Sequence, residues 1–214
     1  MEYIKPIKEM TGKERVSYIW CYYKVYILVV IAVIASVIGL IYHYATYRTP
    51  LLNIMMINRQ TTDTTALNQS LDDFLTENGY PLKSNTIDAK SSLVVDMNDS
   101  SSYQQQTALE MLIATQSYSA FFSDPENFEV HSEQELFRPI TDFMTDEQIA
   151  RYENDLLYAT NSDTGEKYPC GIHLTAESTP WLETTESYSD CYFGVLFSNS
   201  DDETVSQFVN YVLQ

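Results

Sequence analysis

The residue types that most often carry catalysis are few and scattered in this chain. Its 214 residues include three histidines, His43, His131 and His173, and three cysteines. The sequence contains no His-Glu-x-x-His zinc motif, no Cys-x-x-Cys pair, no Gly-x-Ser-x-Gly nucleophile turn and no glycine-rich phosphate loop. Adjacent acidic residues such as Asp72 and Asp73 are common in so acidic a chain and are typical of solvated helix starts. We therefore expect no enzymatic activity, no cofactor and no metal site.

One short segment carries the side-chain oxygens of a calcium loop. Asp96, Asn98, Asp99 and Ser100 are residue types that coordinate calcium. The segment lacks the central glycine and the distal bidentate glutamate that such a loop uses. A loop that caps the following helix is therefore the favoured interpretation.

Two of the cysteines could form a disulfide bond. Cys170 and Cys191 each lie in or beside a predicted strand of the same domain. A bond between them would close a loop of about 22 residues and stabilise the fold by about 3 kcal/mol in the chain-entropy estimate. Two buried thiols fit these positions equally well, and a Cα separation above about 7 Å would exclude the bond.

Trp181 is a candidate contact residue. It follows Pro180 in a polar loop, with Tyr188 and Tyr192 close by in the sequence. An exposed aromatic ring in such a loop could contact a sugar or a protein. The alternative is that Trp181 covers an edge of the core.

The charge of the chain excludes a general nucleic-acid binder. Against 30 acidic residues stand 12 basic ones, which gives a formal charge of -18. Contacts to phosphate groups need clustered lysine and arginine. The charge is also unevenly distributed, since residues 48–214 carry a net -20 and residues 1–24 a net +2.

The segment 25–47 predicts a membrane-spanning helix, because its 23 residues include no Asp, Glu, Lys or Arg. A helix of this length rises about 27 to 35 Å, which matches the hydrocarbon thickness of a bilayer. Tyrosines flank both ends, and lysines and arginines are concentrated before the span, which indicates a cytoplasmic N-terminus. We predict three parts in the cell membrane: a cytoplasmic segment 1–24, a signal-anchor helix 25–47 in the lipid bilayer, and an extracytoplasmic domain 48–214.

Four small residues share one side of this predicted helix. Their spacings of three and four residues would let a second helix approach closely. That second helix could belong to a homodimer or to another membrane protein. The four residues are Ala32, Ala35, Ser36 and Gly39.

The outer region alternates strand-like and helix-like segments, which predicts a single three-layer α/β domain with a mixed sheet. Asp124 and Pro125 predict the start of one helix, and the Thr145–Gln148 capping pattern opens another, expected over 143–157. Strands are predicted at 51–58, 92–97, 119–123, 156–160, 168–174 and 191–198, with the fourth and fifth forming a hairpin.

Several segments resemble a known group of proteins. The run ERVSYIWCYYKVYILVV at 14–30 resembles the N-terminal anchor of single-pass membrane proteins of Gram-positive gut clostridia. The outer region is similar to theirs in SDPENF at 123–128, EKYPCGI at 166–172 and FVNYVL at 208–213. The same succession of elements resembles type 2 extracellular solute-binding proteins.

The resemblance implies a reduced solute-binding fold. Two lobes that close on a ligand need about twice the 167 residues that follow position 47. Phe121 and Phe122 stand where the family more often has acidic and aliphatic residues, so no binding residue is carried over from the family.

We therefore expect a non-enzymatic, membrane-anchored binding or accessory module on the extracytoplasmic side. The alternative is a bitopic structural or regulatory subunit that docks on another membrane protein through its transmembrane helix.

Overall fold

The computed structural model of the chain describes residues 11–96 and 100–214. The chain divides into two compact units between Tyr47 and Arg48. The first unit contains helix α1, Gly12–Thr46, of 35 residues. Its most apolar window has a mean hydropathy of 2.8, and no residue of that window is buried. The apolar helix predicted over 25–47 is confirmed as part of α1, which is long and apolar enough to cross a membrane.

The second unit is built on one mixed sheet. In the part of the chain that the structure describes, seven strands form this sheet in the order β2-β1-β3-β7-β6-β5, with β4 paired to the end of β7. The first three neighbours are parallel and the remaining pairs are antiparallel. The strands are β1 Thr49–Ile57, β2 Asn85–Leu93, β3 Ala120–Ser123, β4 Phe137–Arg138, β5 Leu156–Thr160, β6 Lys167–Thr175 and β7 Asp190–Leu196.

Helices cover both faces of the sheet. One face packs against α2, α6 and α7, and the other packs against α3 and α4. Because both faces are covered, β1 is buried on both sides over 54–57, which explains its continuous apolar run. The helices of this unit are α2 Thr65–Glu77, α3 Tyr103–Ala114, α4 Pro125–Glu133, α5 Asp146–Arg151, α6 Pro180–Thr185 and α7 Asp202–Val212.

The connections of the parallel strands create a switch point in the sheet. Strand β1 lies between β2 and β3. The chain leaves β1 into α2 on one face, whereas it leaves β3 into α4 on the opposite face. In open α/β sheets, the crevice at the carboxyl ends of two such strands is the usual place for a ligand.

Most of the predicted elements are confirmed. The mixed sheet, the strand at 51–58, the hairpin of β5 and β6 and the strand at 191–198 are all present. Helix α4 begins as predicted, since Asp124 Oδ1 accepts a hydrogen bond from the Asn127 N–H at 3.1 Å. The Thr145–Gln148 capping box is also present.

Two predicted boundaries are wrong. The helix expected over 143–157 is limited to α5, with 3₁₀ turns at Ile140–Phe143 and Glu153–Asp155 on either side. The chain must become extended by Leu156 to enter β5, which ends the helical stretch. Strand β2 lies at Asn85–Leu93 instead of 92–97, because this polar segment pairs along the edge of the sheet, where one side of the strand needs no apolar residues.

Candidate binding site

The possible disulfide is not formed, and the alternative of two buried thiols is confirmed. Cys170 and Cys191 are free thiols, buried in the clusters on opposite faces of the sheet. Cys191 pairs with Leu174, four residues further along β6 than Cys170, which is a distance of roughly 13 Å along the strand. Burial raises the pKa of Cys170 to about 11 and also raises the pKa of Cys191, so both thiols stay protonated at neutral pH.

Trp181 belongs to the core instead of to an exposed contact. Its side chain is 6% exposed. The indole stacks on Phe122, with ring centroids 5.2 Å apart, and meets Phe208 edge-on. The possible sugar or protein contact is therefore wrong, and the alternative that Trp181 covers an edge of the core is confirmed.

The four small residues of α1 are exposed in the described structure. A Cβ atom at Gly39 would meet no atom within 4 Å. The Ser36 hydroxyl donates to the Ala32 carbonyl at 2.8 Å, so its hydrogen bond is made within the helix. Pairing through Ala32, Ala35, Ser36 and Gly39 stays a prediction.

The histidines and the calcium-like segment form no common site in the described part of the chain. His131 is buried in α4, and His173 pairs with Asp190 on the exposed side of β6, with 2.6 Å between Nε2 and Oδ1. Burial lowers the pKa of His131. Residues 97–99 of the calcium-like segment lie outside the described residues.

A polar crevice lies at the switch point of the sheet. Its volume is about 370 Å³, which is at the small end of the range for ligand sites. The ends of β1 and β3, the segment after β2 and the first turn of α4 contribute its walls. The polar residues that line it are Asn58, Arg59, Asp96, Asp124, Glu126 and Asn127.

Asn58 joins the end of β1 to the segment after β2. Its backbone has a φ of 55°, a left-handed conformation that asparagine tolerates better than most residues. Its side-chain Nδ2 donates to the Val95 carbonyl at 2.7 Å, and its Oδ1 accepts from the Val95 N–H at 2.8 Å. The amide side chain thus replaces the backbone ladder beyond the end of β2 and fixes one wall of the crevice.

Asp124 and Asn127 form the wall at the start of α4. Asp124 Oδ2 accepts from Asn58 Nδ2 at 2.7 Å and from Asn127 Nδ2 at 2.8 Å. Asn127 is 2% exposed, and its Nδ2 also donates to the Val95 carbonyl at 3.1 Å. Its Oδ1 is buried and accepts no hydrogen bond from any described residue.

Arg59 contributes a buried positive charge. Its side chain is anchored by Nε, which donates to Ser187 Oγ at 3.1 Å, and by Nη2, which donates to the Asp63 carbonyl at 2.7 Å. Nη1 is buried without a hydrogen-bond partner in the described residues, where no carboxylate lies within 4.0 Å of the guanidinium. Burial lowers the pKa of Arg59, and nearby Tyr188 and Asp63 partly oppose that shift.

The loop after α6 holds this arrangement in place. Tyr188 is buried, and its hydroxyl donates to the carbonyl of Ile57, the last residue of β1, at 2.7 Å. Gln60 exchanges hydrogen bonds with Ser189 through both its side-chain amide atoms. The loop after α6 therefore holds the end of β1 and the residues that follow it in place without a ligand.

The crevice residues were missed by the sequence analysis, although one signal was available. Asn58 is the last residue of the predicted strand at 51–58 and Arg59 follows it, and Asp124 directly follows the strand at 119–123. Polar residues at the ends of buried parallel strands are candidates for a ligand site. Because β2 was predicted at 92–97 instead of 85–93, the sequence did not indicate that the ends of β1, β2 and β3 lie together at the crevice.

The chain matches no protein-family model, no curated protein and no solved structure.

Proposed function

We propose that the protein is a membrane-anchored, extracytoplasmic binding module that holds a small organic acid in the crevice beside Arg59. The observation that carries this proposal is Arg59, a residue that is nine-tenths buried and whose guanidinium has one unbonded nitrogen and no described carboxylate within 4.0 Å. A buried charge is costly unless it is paired. A carboxylate is a strong acceptor for a guanidinium, and the N–H groups of Nη1 are the ones that Arg59 has left to donate.

The rest of the crevice limits the kind of acid. Asp96, Asp124 and Glu126 also line it, and these carboxylates would repel a phosphate or a dicarboxylate. The unbonded Oδ1 of Asn127 favours a ligand that also carries a hydrogen-bond donor. A compact monocarboxylic acid with an ammonium or hydroxyl group satisfies both demands, and a volume of about 370 Å³ suits such a size.

Binding is a better account than catalysis for these residues. The crevice lining contains no serine, cysteine or histidine in the described part of the chain. The Asp124 carboxylate accepts three hydrogen bonds that hold the walls together, which suits a structural task more than proton transfer. The two buried thiols are on other parts of the sheet and are protonated, so they are poor nucleophiles.

The location in the proposal depends on α1. Lys5, Lys8, Lys13, Arg15 and Lys24 precede the apolar run, so we propose that residues 1–24 are cytoplasmic and the sheet domain is outside the cell. We propose in addition that this domain corresponds to one lobe of a solute-binding protein. A single lobe would hold its ligand at the strand ends without closure of a second lobe.

A thermal-shift screen tests the proposal. The full-length chain in phosphatidylcholine nanodiscs would carry Trp20→Phe, so that buried Trp181 is the sole tryptophan and reports unfolding of the sheet domain. The ligands would be amino acids and hydroxy acids, each beside its amide and its decarboxylated amine. We expect a rise in Tm with at least one acid and no comparable rise with its amide or amine.

The control variant is Arg151→Met, which removes an exposed arginine. It should keep the response to the acid, whereas Arg59→Met should lose it. No rise in Tm with any acid, or an equal rise with an acid and its amide, would overturn the proposed function.

A further inference from the structure

A second recess lies at the opposite end of the sheet from the crevice. Phe197 follows β7, whose end pairs with the beginning of β3, whereas Asp124 follows the end of β3. Two depressions of about 400 and 300 Å³ meet here and share Glu135 and Phe197 in their walls. We call these two adjoining depressions together the Phe197 groove.

The backbone at two helix ends shapes the Phe197 groove. Gln116, after α3, has a φ of 53°, and Glu135, after α4, has a φ of 55°. These left-handed residues turn the chain away from each helix axis. The recess between the two turns is lined by half-buried apolar side chains of Ile113 and Leu136.

Phe197 is a large apolar residue with an exposed side chain at the end of a buried strand. Its side chain is 53% exposed, whereas the six preceding residues of β7 are all buried or half-buried. Its backbone is held, because its N–H donates to the Leu136 carbonyl at 3.3 Å. An exposed aromatic side chain beside apolar walls, on a backbone that is held in place, is typical of the centre of a protein contact surface.

Acidic residues surround this apolar recess. Glu110, Glu135 and Glu166 line it, against one basic residue, Lys167, among the described lining residues. Glu135 Oε1 accepts a hydrogen bond from the Ser162 N–H at 2.7 Å, and this bond lowers the pKa of Glu135. The groove is thus apolar at its centre and negative at its rim.

The charge of the domain limits the partner. A second copy would bring another domain with a net charge of -20, and an anionic lipid surface would likewise repel it. We propose that the Phe197 groove binds a basic segment of another extracytoplasmic protein, with a large apolar side chain against Phe197 and lysine or arginine near the glutamates. This proposal is independent of the crevice.

Peptide selection on the full-length chain tests the proposal. A phage-displayed library of random 12-residue peptides would be depleted on empty phosphatidylcholine nanodiscs and then selected on nanodiscs that hold the protein. Affinities of the enriched peptides would be measured by fluorescence anisotropy. We expect enriched peptides that combine basic residues with a large apolar residue, and an affinity that falls as salt rises.

Matched variants assign the binding to the groove. Phe197→Ser should weaken peptide binding at least tenfold, whereas Tyr158→Ser, which removes another aromatic side chain that is 53% exposed, should change it less than twofold. Trp181 fluorescence in the Trp20→Phe background would verify that both variants are folded. Arg59→Met should leave peptide binding unchanged, which separates this proposal from the proposed function.

Three results would overturn the inference. The first is that no peptide is enriched over empty nanodiscs. The second is that the enriched peptides lack basic residues. The third is that Phe197→Ser, while folded, binds the peptides as tightly as the unchanged chain does.

Discussion

Replacing Arg59 with methionine distinguishes a ligand-binding guanidinium from a structural one. Methionine keeps an unbranched apolar stem and removes the charge. The variant loses the hydrogen bonds from the guanidinium to the Asp63 and Thr185 carbonyls and to Ser187 Oγ, each worth about 1.5 to 3 kcal/mol for a charged donor. The variant also removes two costs of the folded state. One is the buried, unbonded donor, at about 1 to 3 kcal/mol, and the other is the desolvation of the charge.

These opposing effects leave a small net change. We expect Arg59→Met to lower the free energy of unfolding by about 1 to 2 kcal/mol, which corresponds to roughly 2 to 8 °C in Tm for a domain of this size. If Arg59 were present for stability alone, that offset would be absent, and the three lost hydrogen bonds would together cost at least about 4 kcal/mol.

The assay is urea unfolding of the full-length chain in nanodiscs, followed by Trp181 fluorescence in the Trp20→Phe background. Arg151→Met is the matched control and should change stability by less than about 0.5 kcal/mol, because its guanidinium is exposed. A loss above about 4 kcal/mol for Arg59→Met, with no change in the response to organic acids, would refute the reasoning and assign Arg59 to the fold.

Three further predictions concern other parts of the chain. Burial lowers the pKa of His131 below the unfolded value of about 6.5, so the folded state resists its protonation and stability should fall as pH drops from about 7 towards 5. The variant His131→Gln should flatten the plot of urea midpoint against pH over this range. An unchanged slope would contradict this prediction. Gly194→Ala would place a Cβ atom 2.8 Å from the Phe128 ring and should destabilise by about 1 to 3 kcal/mol, seen as a lower Tm; an unchanged Tm would show that the rings can move. Replacing Ala35 and Gly39 together with leucine should remove co-purifying membrane partners if α1 pairs through its small residues, and an unchanged set of partners would contradict that pairing.

The elements that the sequence predicts well are those whose signal is local. The run at 51–58 is apolar on both faces because β1 is central, and no partner strand needs to be known to recognise it. Asp124 and Pro125 define the start of α4 through two side chains that act within one turn. The boundaries of β2 depend instead on a neighbour, because a polar edge strand is specified by the strand it pairs with.

Spacing alone does not decide between a disulfide and two buried thiols, because the face on which Cys170 lies depends on the register of β6. Strand alternation places Cys170 on the same face as Ile172 and Leu174, which belong to the same cluster as Cys191. The ladder between β5 and β6 skips Cys170, however, because a bulge lies between Leu157 and Tyr158. The extra residue reverses the alternation and turns Cys170 towards the other face.

The binding site depends on topology in the same way. Arg59 and Asn127 are separated by 67 positions and gain meaning only when β1 and β3 lie side by side. Residues 48–214 include seven basic residues, and the sequence does not indicate which of them is buried. The buried position of Arg59, without a carboxylate partner in the described residues, is a property of the folded chain alone.

Calorimetric titration tests the central claim most directly. The acid that gives the largest rise in Tm, and its amide, would each be titrated into the full-length chain and into Arg59→Met in nanodiscs. A charge-assisted pair worth about 1.5 to 3 kcal/mol predicts that the acid binds the unchanged chain at least tenfold more tightly than its amide does, and that Arg59→Met loses this preference. Equal affinity for the acid and its amide, or an unchanged affinity of Arg59→Met for the acid, would contradict the account.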